Sequence, residues 1–131
     1  MKINHQNGFT LLELLIAIAI VATLAATAMS FYGDNVTKSR CTEGRSALLS
    51  GASALEKCKT VYGVYNNANC NTNAFLGATT NGFFDITMAR NATSFTLTAT
   101  AQGAAANDNT FCPTITLNNL GVQGGTGTSP W

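Results

Sequence analysis

The sequence predicts an α+β fold in which one long N-terminal helix packs on a small antiparallel sheet of three to four strands. Two observations support this prediction. Apolar and then amphipathic residues run from Phe9 to about Tyr62 without a proline, which favours a single helix. The second half of the chain alternates short segments rich in Thr and apolar residues with turns built from Asn and Gly, which is typical of antiparallel strands.

The first half of the predicted helix has the composition of a membrane span. Residues 9–31 carry one charge in 23 residues, and at ~1.5 Å per residue they are long enough to cross a ~30 Å hydrocarbon core. Lys2 and the α-amino group precede this span, so the positive-inside rule places residues 1–8 in the cytoplasm and the rest of the protein across the membrane.

The single charge in this span is Glu13. A carboxylate in a membrane helix costs roughly 2.5–3.5 kcal/mol at the bilayer centre, so a functional role is expected for it. If the protein is cut between Gly8 and Phe9, the new α-amino group lies four residues before Glu13 on the same helix face. The ion pair could form within one molecule or between neighbouring molecules, where it would be an assembly contact.

Two simpler interpretations of the apolar segment compete with this one. Residues 26–28, Ala-Thr-Ala, fit the cleavage site of an ordinary secretory signal peptide. However, Glu13 interrupts the apolar region near its start, where a signal peptide is normally uninterrupted. The other alternative is a plain membrane anchor, which would leave Glu13 without a purpose.

The second half of the predicted helix is amphipathic. Its apolar residues recur at intervals of three, four or seven positions, which places them on one face. They are Cys41, Leu48, Ala52, Leu55 and Cys58. This face is expected to cover the sheet.

The strands are predicted from alternating patterns in the second half of the sequence. Residues 63–81 are predicted as a loop because they are rich in Asn, Thr, Gly and Ala. The predicted strands are 83–88, 94–101 and 110–117, with a weak last strand near Val122. Residues 124–131 are rich in Gly and Thr and are expected to be mobile apart from Trp131.

The four cysteines indicate disulfides rather than a metal site. None belongs to a Cys-x-x-Cys pair, and the single histidine, His5, would be lost with residues 1–8, so zinc fits poorly. An even number of cysteines in an exported head favours two disulfides. Eleven residues separate Cys58 from Cys70, a suitable loop for one of them, but four cysteines permit three pairings.

The charged residues argue against an enzyme. After Gly8 the sequence has six Lys or Arg and six Asp or Glu, no histidine and only scattered carboxylates, so neither a general acid–base pair nor an activated nucleophile is expected, and no cofactor or metal. Five of the six basic residues are Lys38, Arg40, Arg45, Lys57 and Lys59. They form either a solvated helix face or a basic stripe able to bind DNA.

The start of the sequence resembles a known signal. A short basic leader, then Gly8-Phe9-Thr10-Leu11-Leu12-Glu13 and about twenty apolar residues, is similar to the class III signal sequence of type IV prepilins. The resemblance implies that a prepilin peptidase removes residues 1–8 and N-methylates Phe9. It implies that residues 9–31 form the transmembrane and assembly helix, with Glu13 docking onto the terminal Phe9 of a growing filament, and that residues 32–131 form the head.

The rest of the sequence resembles the PilE-like minor pilins, which implies the type IV pilin fold. Pilins commonly have Gly at the position of Ala22 and Pro at that of Ser30, so a continuous helix is expected here. Relatives often end in Cys-Trp, whose cysteine pairs with the one matching Cys112, whereas this protein ends in Pro-Trp. The resemblance therefore favours Cys41–Cys112 beside Cys58–Cys70, although Cys112 has the opposite strand parity to the apolar residues around it.

The implied function is that of a structural subunit, major or minor, of a type IV pilus that serves adhesion, motility or DNA uptake. The implied partners are other pilin subunits, prepilin peptidase, the inner membrane before assembly and, for one alternative, DNA. The protein would reside in the inner membrane as a prepilin and later in an extracellular pilus. The alternatives are a DNA-uptake receptor that uses the basic residues between Lys38 and Lys59, and a pseudopilin of a type II secretion system.

Overall fold

The computed structural model describes residues 9–107 and 110–131. The leader with Gly8 and His5 lies outside the described residues, as do Asp108 and Asn109. The first helix, α1, runs over Leu11–Tyr62, which confirms the prediction of one long helix without an interruption at Ala22 or Ser30. The protein divides into two units, Met1–Asn35 and Val36–Trp131. The head was predicted to begin at residue 32; we call the second unit, Val36–Trp131, the head.

The head contains an antiparallel sheet of five strands in the order β1-β2-β3-β4-β5. The strands are β1 Gly77–Ala78, β2 Phe84–Arg90, β3 Phe95–Ala101, β4 Thr114–Asn118 and β5 Gln123–Thr126. A long helix with an antiparallel sheet confirms the predicted α+β class. The sheet has one strand more than the predicted three to four. The strand that was not predicted is β1, which lies inside the segment predicted as a loop and is too short to show an alternating pattern. A short helix, α2 Gly103–Ala106, lies between β3 and β4.

The core of the head forms between α1 and one face of the sheet. The buried side chains include three from the predicted helix stripe and five from inward positions of β2, β3 and β4, namely Cys41, Leu48, Leu55, Phe84, Ile86, Leu97, Ala99 and Ile115. Ala52 of the stripe is partly buried. Two glycines allow this close approach. A Cβ at Gly44 would lie 3.0 Å from the Phe84 ring, and one at Gly51 would lie 2.8 Å from the Phe75 ring. Their small size therefore offsets the roughly 1 kcal/mol by which Gly weakens a helix.

Two disulfides connect the helix to the rest of the head. Cys41 bonds to Cys112, with Cα atoms 6.1 Å apart, and Cys58 bonds to Cys70, with Cα atoms 5.7 Å apart. These are the two pairs that the resemblance favours. The parity objection to Cys112 does not apply, because β4 begins at Thr114 and Cys112 lies before it, buried in the core.

The C-terminal segment is ordered by contacts, so the prediction of a mobile tail is wrong. Backbone N–H groups of Thr128 and Ser129 donate to the carbonyls of Thr110 and Phe111 at 2.8 and 3.0 Å. The guanidinium of Arg45 donates to the Ser129 carbonyl at 2.7 Å and to that of Pro130 at 3.0 Å. The indole N–H of Trp131 donates to the Gly124 and Thr116 carbonyls at 2.8 and 3.1 Å. We call residues 128–131 the C-terminal strap.

Candidate functional site

The start of α1 holds Glu13 in a capping box. The Glu13 N–H donates to Thr10 Oγ1 at 3.2 Å, and Glu13 Oε2 accepts from the Thr10 backbone N–H at 3.1 Å. The Thr10 hydroxyl also donates to Oε2, at 3.2 Å. This reciprocal arrangement satisfies donors that a helix start leaves free. The carboxylate of Glu13 is therefore fixed at the end of α1 that lies next to Phe9, where the helix dipole favours a negative charge.

The helix that follows Glu13 presents an uncovered apolar surface. Every large apolar side chain between Phe9 and Phe31 is exposed: Phe9, Leu11, Leu12, Leu14, Leu15, Ile16, Ile18, Ile20, Val21, Leu24, Met29 and Phe31. This segment has the length and composition of a membrane span, a test that a signal sequence near an N-terminus also passes. Such a surface is unfavourable in water, so it requires a covering by lipid or by other protein molecules.

The structure does not bring the five basic residues of the predicted stripe together. Arg40 donates to the Ala104 carbonyl at 3.1 Å and its guanidinium lies 5.3 Å from the centroid of the Phe83 ring. Arg45 binds the C-terminal strap. Both arginines thus bind groups within the head. The five side chains are spread around α1 because successive helix positions differ by about 100°. Lys38 and Lys57 are exposed.

Lys59 belongs to a small polar cluster around the buried Tyr65. Its ammonium lies 4.5 Å from the centroid of the Tyr65 ring and donates to Tyr65 Oη at 3.4 Å. Tyr65 Oη donates in turn to Glu56 Oε1 at 2.7 Å. Burial, together with the hydrogen bond to Glu56 and its negative charge, raises the pKa of Tyr65 to about 12. The phenol therefore stays protonated at neutral pH and holds Glu56 close to Lys59.

Comparison with known families agrees with this geometry. Residues 3–29 match the family model of the prokaryotic N-terminal methylation motif. Residues 30–116, more than half of the chain, match the family model described as type IV minor pilin ComP, DNA uptake sequence receptor. The chain belongs to this family of type IV minor pilins. Pilins are structural fibre proteins and not enzymes.

Individual relatives of this pilin are of the same kind. Over 121 residues it is 30% identical to the fimbrial protein EcpC of Eikenella corrodens, covering 91% of this pilin and 78% of the relative. Over 53 residues it is 45% identical to the type IV major alpha-pilin of Moraxella bovis, so the match spans 33% of that relative's length. The crystal structure of the non-core minor pilin PilV of Neisseria meningitidis superposes with a TM-score of 0.55 at 26% identity, covering 72% of this pilin and 90% of PilV.

Phe9 and Glu13 were named from the sequence as candidate site residues, but Thr10, which contacts Glu13 in the structure, was not. The signal was present, since Thr followed three residues later by Glu before an apolar run is the signature of a capping box. Only one oxygen of Glu13, Oε2, accepts the hydrogen bonds from Thr10. The carboxylate thus retains acceptor capacity for a second donor while Thr10 fixes its direction.

Proposed function

We propose that this pilin is a minor structural subunit of a type IV pilus, made as an inner-membrane prepilin and transferred into an extracellular filament. The observation that carries the proposal is the uncovered apolar surface of residues 9–31, which begins at the matched methylation motif. In the membrane, lipid covers this surface. In the filament, the same surface of neighbouring pilins covers it, so burial is kept during the transfer.

In this proposal the residues at the start of α1 act in sequence. Prepilin peptidase cuts between Gly8 and Phe9 and methylates the new amino group of Phe9. That amino group is a cation beside an apolar helix, and Glu13 of a neighbouring subunit neutralises it. Thr10 directs the carboxylate of Glu13 through the capping box. A salt bridge of two desolvated charges needs such fixed geometry to be favourable.

The test is the intact mass, without reduction, of filaments sheared from cells that make this pilin. We expect a species that spans residues 9–131, carries one methyl group and lacks four hydrogens, as two disulfides require. A low amount relative to a second, abundant pilin would mark a minor subunit. A soluble species that starts at Met29, with none in filaments, would instead show an ordinary secreted protein and refute the proposal.

A second function, reception of DNA during uptake, is favoured by the family match over residues 30–116, whose description is a DNA uptake sequence receptor. Electrostatic contact with phosphates requires cations that are free to reach them. Arg40 and Arg45 are bound to backbone carbonyls, so we assign the main role to the exposed Lys57 near the C-terminal end of α1. Lys59 is a second, weaker contact, because its ammonium already contacts Tyr65. The Tyr65 cluster holds Lys59 in a fixed position.

The experiment for DNA binding compares two charge reversals of equal size. We expect Lys57→Glu to weaken DNA binding, and Lys57→Glu with Lys59→Gln to weaken it further. The magnitude of the slope of log affinity against log salt concentration should fall by about one for each lysine changed, as the loss of one phosphate contact requires. Lys38→Glu is the matched control, since Lys38 is exposed on the same helix about 28 Å away. Equal weakening by both reversals would indicate a net-charge effect and would contradict the assignment.

A further inference from the structure

The tip of the β1–β2 hairpin is fastened to α1 through one asparagine. The backbone N–H of Asn81 donates to Glu43 Oε1 at 3.2 Å, and its side-chain amide donates to Glu43 Oε2 at 2.6 Å. The next residue, Gly82, donates its N–H to the Thr79 carbonyl at 2.8 Å. Asn81 and Gly82 are both exposed. Glu43 and Asn81 are 38 positions apart, so this clamp depends on the folded head.

From this geometry we propose that Asn81 is a site of spontaneous deamidation and that the hydrogen bonds from Asn81 to Glu43 set its rate. The backbone nitrogen of Gly82 attacks Cγ of Asn81 and forms a new bond between nitrogen and carbon. The bond between Cγ and the amide nitrogen of Asn81 breaks, and that nitrogen leaves as ammonia with the proton from Gly82. Water then adds to the cyclic imide and opens either of its two C–N bonds, which gives aspartate or isoaspartate.

The sequence and the backbone make Asn81 the favoured position. A following glycine leaves the attacking nitrogen unhindered, and the sequence has only two Asn-Gly pairs, at residues 7–8 and 81–82. The first pair is in the leader. Gly82 has φ +69°, and nothing lies within 4 Å of the position that a Cβ would occupy. Gly82 therefore has no side chain to hinder ring closure once the turn opens.

The clamp opposes the reaction in two ways. It holds the leaving amide on Glu43, and the hairpin turn holds the attacking N–H on Thr79. Burial alone would raise the pKa of Glu43, but the hydrogen bonds from Thr79 and Asn81 outweigh it and lower the pKa, so Glu43 is an ionised acceptor at neutral pH. Ring closure has to wait until the turn opens, and the hydrogen bonds to Glu43 resist that opening.

Deamidation permanently removes the shorter of the two hydrogen bonds in the clamp, the one from the side-chain amide of Asn81. The new carboxylate at residue 81 has no N–H to donate and faces the carboxylate of Glu43, so attraction becomes repulsion. The hairpin tip then keeps only the backbone hydrogen bond to Glu43, against this repulsion. A groove of about 340 Å³ lies at this point, lined by Glu43, Ser46 and Ser50 of α1 and by Phe75, Thr79 and Thr80 opposite. We expect one wall of this groove to become mobile in old molecules.

The experiment ages the full-length protein, purified in detergent, in mildly alkaline buffer and maps the products by mass spectrometry. After reduction of the disulfides, trypsin releases residues 60–90 as one peptide, which contains Asn81 and five internal comparators, Asn66, Asn67, Asn69, Asn71 and Asn73. We expect Asn81 to convert several-fold faster than any of the five, at a rate proportional to hydroxide concentration. Asn81→Gln, which would have to form a larger ring, should remove the reaction.

Variants of the clamp test the role of Glu43. Glu43→Gln and Glu43→Ala should each speed conversion at Asn81 several-fold, while Glu56→Gln, which disturbs a different helix carboxylate, should leave the rate unchanged. Conversion of Asn81 no faster than the comparators would overturn the proposed site. An unchanged rate in both Glu43 variants, or an equal acceleration by Glu56→Gln, would overturn the control by Glu43. Neither result depends on whether the pilin enters a filament.

Discussion

The segment of residues 9–31 and the head are stabilised by opposite means. In the segment, every large apolar side chain is exposed, and the hydrogen bonds of the described side chains are local, such as those of the Thr10–Glu13 capping box. In the head, a core of apolar side chains is buried between α1 and the sheet, and two disulfides and the Arg45 contacts join residues far apart in the sequence. The apolar surface of the segment therefore has to be covered from outside, whereas the head buries its core by contacts among its own residues.

The largest effect is expected at Glu13, on filament entry. Glu13→Gln removes the charge that, in the proposed assembly, neutralises the Phe9 amine of a neighbour. We expect at least a tenfold loss of this pilin from sheared filaments, with normal amounts in the membrane. A tenfold loss corresponds to about 1.4 kcal/mol of assembly free energy. Thr10→Ala keeps the charge but loses the cap, which costs about 1 kcal/mol of helix stability. Equal incorporation of Glu13→Gln and the unaltered pilin would show that the charge has no role in assembly.

In the head, the largest effect is expected from the disulfides. The chain-entropy relation gives about 4 kcal/mol for Cys41–Cys112, which spans 71 positions, and about 3 kcal/mol for Cys58–Cys70, which spans 12. We expect the Cys41→Ala, Cys112→Ala pair to lower the free energy of unfolding more than the Cys58→Ala, Cys70→Ala pair. Denaturant titration of the full-length protein in detergent measures both. The reverse order would mean that local packing, and not loop length, decides their contribution.

The C-terminal strap should contribute less than a disulfide. Arg45→Met keeps the aliphatic stem but removes both hydrogen bonds to the strap, and we expect a loss of about 1–3 kcal/mol, since hydrogen bonds with a charged donor are involved. Faster amide exchange at Thr128 and Ser129 would locate the change in the strap. Lys57→Met is the matched control on an exposed helix position, and a similar loss there would argue against a specific role of Arg45.

The share of the structure that could be predicted from the sequence differs between residues 9–31 and the head, for a physical reason. In the segment, the apolar length and the methylation motif are local patterns, so both could be predicted from the sequence. In the head, the helix and four strands follow from periodicity, which is also local. The strap and the Asn81 clamp were not predictable, because Arg45 and Glu43 reach partners 84–85 and 38 positions away. Only the folded register brings these groups together, and Gly-rich composition near the C-terminus suggested mobility instead.

The smallest expected effect is the pH dependence of the Glu43 clamp. The pKa of Glu43 in the folded head is lowered from 4.5, so its stabilisation is present above that unfolded value and is lost as the pH falls through the lower folded value. Because the pair is exposed to solvent, we expect the contribution to stay below about 1 kcal/mol. Unfolding free energies of the unaltered pilin and of Glu43→Gln, measured between neutral and strongly acidic pH, should differ above the unfolded pKa and converge below the folded one. A difference that grows on acidification would mean that the protonated carboxyl, and not the carboxylate, binds Asn81.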